Sequence, residues 1–151
     1  TTAMTGHQDH PGTGKTLMGQ VAPIASIAAI GKACGIKRVR TIDPHDMAAT
    51  VQAIKEELAA DEPSLIVSAA PCVLHDKSAH GPHREVNDEI CKKCGLCLKL
   101  GCPAMEVKMA AGDKKARLPE IQDMLCAGCG MCEQVCKFGA ISVCDSTEDD
   151  I

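Results

Sequence analysis

The chain has 151 residues, 45% of them hydrophobic, with 16 basic against 20 acidic side chains and a formal net charge of −4. That length allows one ordinary domain or two small ones, and the apolar fraction fits a folded protein. The negative balance and the single aromatic residue, Phe138, exclude a phosphate-backbone binder and a base-stacking platform, so no nucleic acid is expected as a partner.

The chain opens at Thr1, with no initiator Met and no signal peptide, and reads as a piece of something longer. No apolar run approaches the ~18 residues of a membrane span, so no membrane is expected. Gly14-Lys15-Thr16 imitates a phosphate-binding loop. The full motif needs a glycine five residues before Gly14, where Asp9 stands, and no apolar strand precedes it, so nucleotide binding is not expected here. His7 and His10 are spaced i, i+3, but no acid and histidine combination completes a metal site, and they read as loop histidines.

Pro23 suits the first position of a helix, Ile24, Ile27, Ala28 and Ile30 give it apolar residues, and Gly35 closes it. A strand is predicted over about residues 37–42. Asp43-Pro44 then caps a second helix, with an apolar stripe of Met47, Val51, Ile54 and Leu58 and a stop at Pro63. Leu65-Ile66-Val67 lacks alternation and reads as a buried strand of a parallel sheet. The order helix, strand, helix, strand predicts the end of a doubly wound α/β domain over residues 1–74. About eighty residues are too few to cover both faces of such a sheet. A His-, Pro- and Gly-rich linker, residues 75–84, leads to a small α+β domain over residues 85–151.

That last region holds nine of the 11 cysteines. The first run is Cys91-x2-Cys94-x2-Cys97-x4-Cys102-Pro103 and the second Cys126-x2-Cys129-x2-Cys132-x3-Cys136. This is a twofold ferredoxin-type iron–sulfur pattern. Three thiols at i, i+3 and i+6 on a tight, glycine-containing loop can wrap three corners of a cubane, while the fourth ligand comes from elsewhere. In two-cluster ferredoxins the fourth cysteine of each run serves the other cluster. Two 4Fe-4S clusters are therefore expected, one on Cys91, Cys94, Cys97 and Cys136, the other on Cys126, Cys129, Cys132 and Cys102. Two zinc sites would use paired knuckles and have no need of the third cysteine in each run. Such metal cross-links compensate for a poor apolar core. Phe138 can pack on a cluster or a strand. Cys34, Cys72 and Cys144 have no motif and read as small buried apolar residues. Lys108, Lys114, Lys115 and Arg117 fall on a predicted hairpin and are candidates for docking an acidic ferredoxin, though a solvated turn is the plainer reading.

The segments Thr2-Ala3-Met4-Thr5-Gly6-His7-Gln8, His10-Pro11-Gly12-Thr13-Gly14, Asp43-Pro44, Pro71-Cys72-Val73-Leu74, Cys91 through Ala104 and Cys136-Lys137-Phe138-Gly139-Ala140-Ile141 together resemble the large subunit of indolepyruvate:ferredoxin oxidoreductases, a thiamine diphosphate-dependent 2-oxoacid:ferredoxin oxidoreductase family. The resemblance covers essentially the whole chain, the x4 spacing included, with Lys137 where proline is usual. It implies that thiamine diphosphate and Mg2+ support oxidative decarboxylation of an aryl 2-oxoacid, that coenzyme A takes the acyl group, and that electrons leave through the two clusters to an external ferredoxin. Residues 1–74 would then be the C-terminal part of the thiamine diphosphate-binding domain. In the family a Gly-Asp metal-binding motif and a later Asn lie ahead of the segment that this chain resembles. Thr1 is the candidate carbonyl ligand to magnesium, and Thr5, Gly6, Met4 and Gln8 are candidate cofactor contacts; no catalytic residue is assigned. The implied partners are the rest of the same subunit and a smaller second subunit in a hetero-oligomer, and the implied location is cytoplasmic. The alternative is a stand-alone two-cluster electron-transfer module, with residues 1–80 as a docking platform.

Overall fold

The chain divides into two compact units, with the boundary between Ala79 and His80. The computed structural model describes residues 9–74, 76–109 and 117–144.

The first unit begins with a tight loop. The Thr13 hydroxyl donates to the His10 carbonyl at 2.8 Å, and the Gly12 N–H donates to His10 Nδ1 at 3.0 Å. Helix α1 spans Ile27–Ala33 and is capped by Ser26, whose Oγ accepts from the Ala29 N–H at 3.1 Å. The start expected at Pro23 is thus too early. The first turn leaves N–H groups without partners, and a serine oxygen can accept from one of them. Gly35, at φ 89, follows the last turn as expected.

Strands β1 (Arg38–Ile42) and β2 (Ser64–Ser68) pair in parallel, in register from Arg38↔Ser64 to Ile42↔Ser68. Parallel neighbours need a crossover, and α2, Met47–Leu58, supplies it. Its N-cap is Asp46 rather than Asp43-Pro44: the Asp46 carboxylate accepts from the Ala49 N–H at 2.9 Å, while Asp43 Oδ1 accepts from His45 N–H in the turn ahead of it. Side chains alternate across a strand. Val39 and Leu65 face Gly31 of α1, where an added Cβ would collide with Leu65. Arg38 and Arg40 point the other way and both meet Glu57 of α2. The strand pair therefore carries one helix on each face.

The apolar stripe predicted on α2 is not what it buries. Ala53 and Glu57 are buried, whereas Val51, Ile54 and Leu58 are exposed. The helix turns a small residue and a matched charge to the strands, because both strand residues that meet Glu57 are arginines. Leu65, Ile66 and Val67 are only half-buried.

The second unit repeats one plan twice: strand, thiol run, strand. Strand β3 (Arg84–Val86) leads into the first run, which ends in a 3-10 turn over Cys97–Leu100 and continues into β4 (Met105–Met109). Strand β5 (Arg117–Ile121) leads through a 3-10 turn at Asp123–Leu125 into the second run, then into α3 (Met131–Val135) and β6 (Ile141–Val143). β4 and β5 pair antiparallel, as do β3 and β6, so the last strand returns to the first. Ala104, Ala140, Ile141 and Cys97 form the buried interior. Among the described residues no helix is long and apolar enough to cross a membrane.

A candidate metal centre

Cys91, Cys94, Cys97 and Cys136 line one cavity. Its wall also includes Gly95, Leu96, Pro119, Phe138, Ala140 and Ile141, and contains no His, Asp or Glu. Phe138 reaches this cavity while remaining partly exposed. Four thiols in a wall that is apolar apart from Lys92 are the donor set that iron–sulfur centres use. Backbone N–H groups already point at the thiols: Lys93 donates to Cys91 Sγ at 3.4 Å and Ala140 to Cys136 Sγ at 3.2 Å. Such bonds orient ligands and help set a cluster's potential. Among the described residues no three His, Cys, Asp or Glu side chains gather as a ready-made site for a single ion.

The second run is tied to the first by matching backbone bonds. The Asn87 N–H, just ahead of Cys91, donates to the Ala140 carbonyl, just beyond Cys136, at 2.8 Å. The Gln122 N–H, just ahead of Cys126, donates to the Ala104 carbonyl, just beyond Cys102, at 2.8 Å. Each run's entry is thus fastened to the segment that follows the other run's fourth cysteine. The 3-10 turn at Cys97–Leu100 also packs on α3. Gly128 sits at φ 68 with the Gly81 backbone against it, so a side chain there would be both strained and blocked.

Burial pushes the Cys97 thiol above its ordinary value, and neighbouring Cys91 and Cys94 push the same way. Burial pushes Cys132 up to about 11, with Cys129 and Cys126 adding to the effect. A thiol so placed keeps its proton until a cation stabilises the thiolate, and metal coordination does that while releasing the proton.

The expected cofactor contacts Thr1, Met4, Thr5, Gly6 and Gln8 lie outside the described residues, as do His7, Lys114 and Lys115. Lys108 does not serve as a free docking cation: its Nζ lies 3.0 Å from Glu120 Oε1 across the β4–β5 pair. The expectation of buried thiols at the three remaining cysteines also fails. Cys34 is exposed at the C-cap of α1, and Cys72 and Cys144 are half-buried.

Three features escaped the sequence reading. Lys92 and Lys93 lie exposed between thiols, and Lys92 lines the cavity. Lys93 holds φ 53, the one positive φ outside glycine among the described residues. The close approach of Gly81 to Gly128 was not foreseen either. Aligning the two runs position by position would have flagged Lys93, because it stands where the second run has Gly128.

Residues 119–142 match the 4Fe-4S binding domain family, a span that includes Cys126, Cys129, Cys132 and Cys136. Over 142 residues the chain is 36% identical to the indolepyruvate oxidoreductase subunit IorA of Methanothermobacter marburgensis, covering 93% of this chain and 22% of that protein. The IorA subunits of Pyrococcus horikoshii and Thermococcus kodakarensis are 38% and 36% identical over 146 and 148 residues, each match covering 92% of this chain and 22% of the relative. The chain therefore spans about a fifth of the length of the curated relatives it matches. By sequence, then, this chain is a relative of the indolepyruvate oxidoreductase IorA subunits along nine-tenths of its own length, and it carries a 4Fe-4S binding domain.

Proposed function

We propose that this chain is the electron-transfer end of a 2-oxoacid oxidoreductase subunit, with 4Fe-4S clusters on two thiol sets. Cys91, Cys94, Cys97 and Cys136 would hold one cluster, and Cys126, Cys129, Cys132 and Cys102 the other. The observation that carries the reading is Cys136: it lies at the far end of the second run and yet lines the cavity of the first. The reciprocal ties of Asn87 to Ala140 and Gln122 to Ala104 support the same crossed assignment.

When bound, the clusters supply one-electron carriers. The protein's own part is to space the thiols, exclude bulk water with Pro119, Phe138 and Ile141, and offer backbone N–H donors to sulfur. No side chain here needs to act as acid or base for that task.

The wider reaction we propose is oxidative decarboxylation of an aryl 2-oxoacid with coenzyme A as acyl acceptor and an external ferredoxin as electron acceptor. Thiamine diphosphate and Mg2+ would bind in part through Thr1, Met4, Thr5, Gly6 and Gln8, together with the rest of the subunit. A smaller second subunit would complete a cytoplasmic hetero-oligomer. Residues 1–74 would belong to the cofactor domain, joined by residues 75–84 to the cluster domain at 85–151. The helix on each face of the β1–β2 pair, and the exposed Ile27, Ile30, Val51, Ile54 and Leu58, fit a piece of a larger α/β domain.

Anaerobically prepared protein should carry about eight irons and as much sulfide per chain, with visible absorption that bleaches on reduction. Zinc without sulfide would overturn the cluster assignment. The full-length subunit with its partner should reduce a ferredoxin only when aryl 2-oxoacid and coenzyme A are both present. Reduction that ignores coenzyme A would overturn the wider reaction and leave the clusters standing.

A further inference from the structure

We infer that Lys92, Lys93 and Lys137 form the docking surface for a small acidic one-electron carrier protein, which takes electrons at the first thiol set. The inference deepens the proposed function and rests on reading Cys91, Cys94, Cys97 and Cys136 as a cluster site.

The two thiol runs differ in what lies between their first two cysteines. In the first run, Lys92, Lys93 and Cys94 are all exposed. In the second run the same places hold Ala127, Gly128 and Cys129, which are half-buried or buried. Gly81 covers that run: its N–H donates to the Ala127 carbonyl at 3.1 Å, and its backbone lies against Gly128. The first set is therefore the open end, where another protein can approach a thiol.

That end also carries positive charge. Lys137 stands exposed between Cys136 and Phe138, two residues that line the same cavity as Lys92. Among the described residues none of the three lysines has an ion-pair partner, as holds for the other described lysines except Lys108, so their head groups are open to a partner. On a chain with net charge −4, the charged side chains between Cys91 and Cys94 and between Cys136 and Phe138 are all lysines. Lysines are often merely solvated, but Lys93 keeps φ 53 where the loop of the second run uses glycine at φ 68. Backbone strain of this kind collects at functional sites. A cationic face around an exposed redox ligand suits an acidic protein, which it would attract and orient by charge.

In the step itself one electron leaves the reduced iron–sulfur site and enters the oxidised carrier. No bond forms or breaks and no proton moves. The proposed 2-oxoacid oxidation supplies the electron in turnover, and dithionite supplies it in the test.

The full-length subunit, assembled with its partner and reduced by dithionite, is mixed with oxidised acidic ferredoxin in a stopped-flow instrument over a range of salt. The wild-type second-order rate constant should fall steeply as salt rises, as for oppositely charged partners. Lys93→Gly retains a residue suited to the loop and should lower the low-salt rate roughly threefold; reversing all three charges to Glu should lower it at least about tenfold and flatten the salt dependence. A wild-type rate that is flat or rises with salt overturns the docking surface, and needs no variant. A triple variant holding about eight irons that retains both rate and slope overturns it too, and leaves the proposed function intact. Wild-type protein that binds no iron or sulfide instead overturns the cluster reading on which the inference stands.

Discussion

The unit ending at Ala79 and the unit beginning at His80 both bury few large side chains among the described residues, and each is tied together by different means. In the first, the buried positions are Gly31, Ala53 and Glu57, and much of the apolar content of α1 and α2 stays on the surface. Its ties are the parallel β1–β2 ladder and a charge network, with Arg38 donating two bonds to Glu57 and Arg40 reaching both Glu57 and Glu56. In the second, small buried residues, Ala104, Ala140 and Ile141, accompany thiols set around a cavity. The contrast teaches that the same few buried residues can mean two things: a layer with its apolar sides open, or a shell shaped for something inorganic.

The largest test of this contrast removes a thiol from each unit. Cys136→Ala should lower iron from about eight to about four per chain and shift the loss of visible absorbance to lower temperature. Cys34→Ala, at an exposed helix end, should leave both unchanged. Equal effects would mean that the second unit is not organised around its thiols.

A smaller effect separates the two runs within the second unit. Gly128→Ala places a side chain at φ 68 and against the Gly81 backbone. The left-handed conformation costs about 1–2 kcal/mol and the overpacking about 1–3 kcal/mol more. Cluster absorbance in this variant should bleach earlier on heating. Lys93→Gly, at the matching place in the first run, should be neutral or slightly stabilising, because no backbone opposes it and glycine relieves the φ. If both substitutions behave alike, the Gly81 cover has no energetic weight.

The two units were unequally legible in the sequence. In the second, ligand spacing has few chemical readings, so the order of residues alone names both cysteine runs and the hairpin between them; the antiparallel β4–β5 pair is where the hairpin was expected. What spacing could not carry was contact across the repeat. Gly81 is a lone glycine in a His- and Pro-rich stretch, and nothing local marks it as the cover of Gly128. Lys108 read as a free cation because its partner Glu120 is on the opposite strand. In the first unit, periodicity located α2 and both strands but misread which face of the helix is inward. A pattern of Met47, Val51, Ile54 and Leu58 assumes that apolar residues face the sheet, and here two arginines on β1 make Glu57 the inward residue instead. Helix starts were placed too early: α1 begins at Ile27 behind the Ser26 cap, four residues past Pro23, and Asp46 caps α2 three residues past Asp43, because capping depends on which oxygen meets a free N–H.

The smallest expected effect tests whether charge holds the first unit, as clusters on the thiols are proposed to hold the second. The hydrogen bond from Arg38 is the main reason that the Glu57 carboxyl lies below its ordinary value; burial opposes the shift, and the charges of Arg38 and Arg40 assist it. The folded chain then binds fewer protons at this site than the unfolded chain does. The stabilisation is therefore complete above the unfolded carboxylate's value and is lost as pH falls through the lower folded value. Amide exchange in the α2 peptides, corrected for intrinsic rates, should show protection that is steady from neutral pH down to the unfolded carboxylate's value, about 4.3, and declines below it. Glu57→Gln should start with weaker protection, since two arginines lose their counter-charge, and should show a shallower decline. Because the readout is local to α2, acid loss of iron from the second unit does not imitate it. A variant whose α2 protection matches wild type at neutral pH would show that the ladder and helix packing alone suffice, and the two units would then differ less than their charge and thiol content suggests.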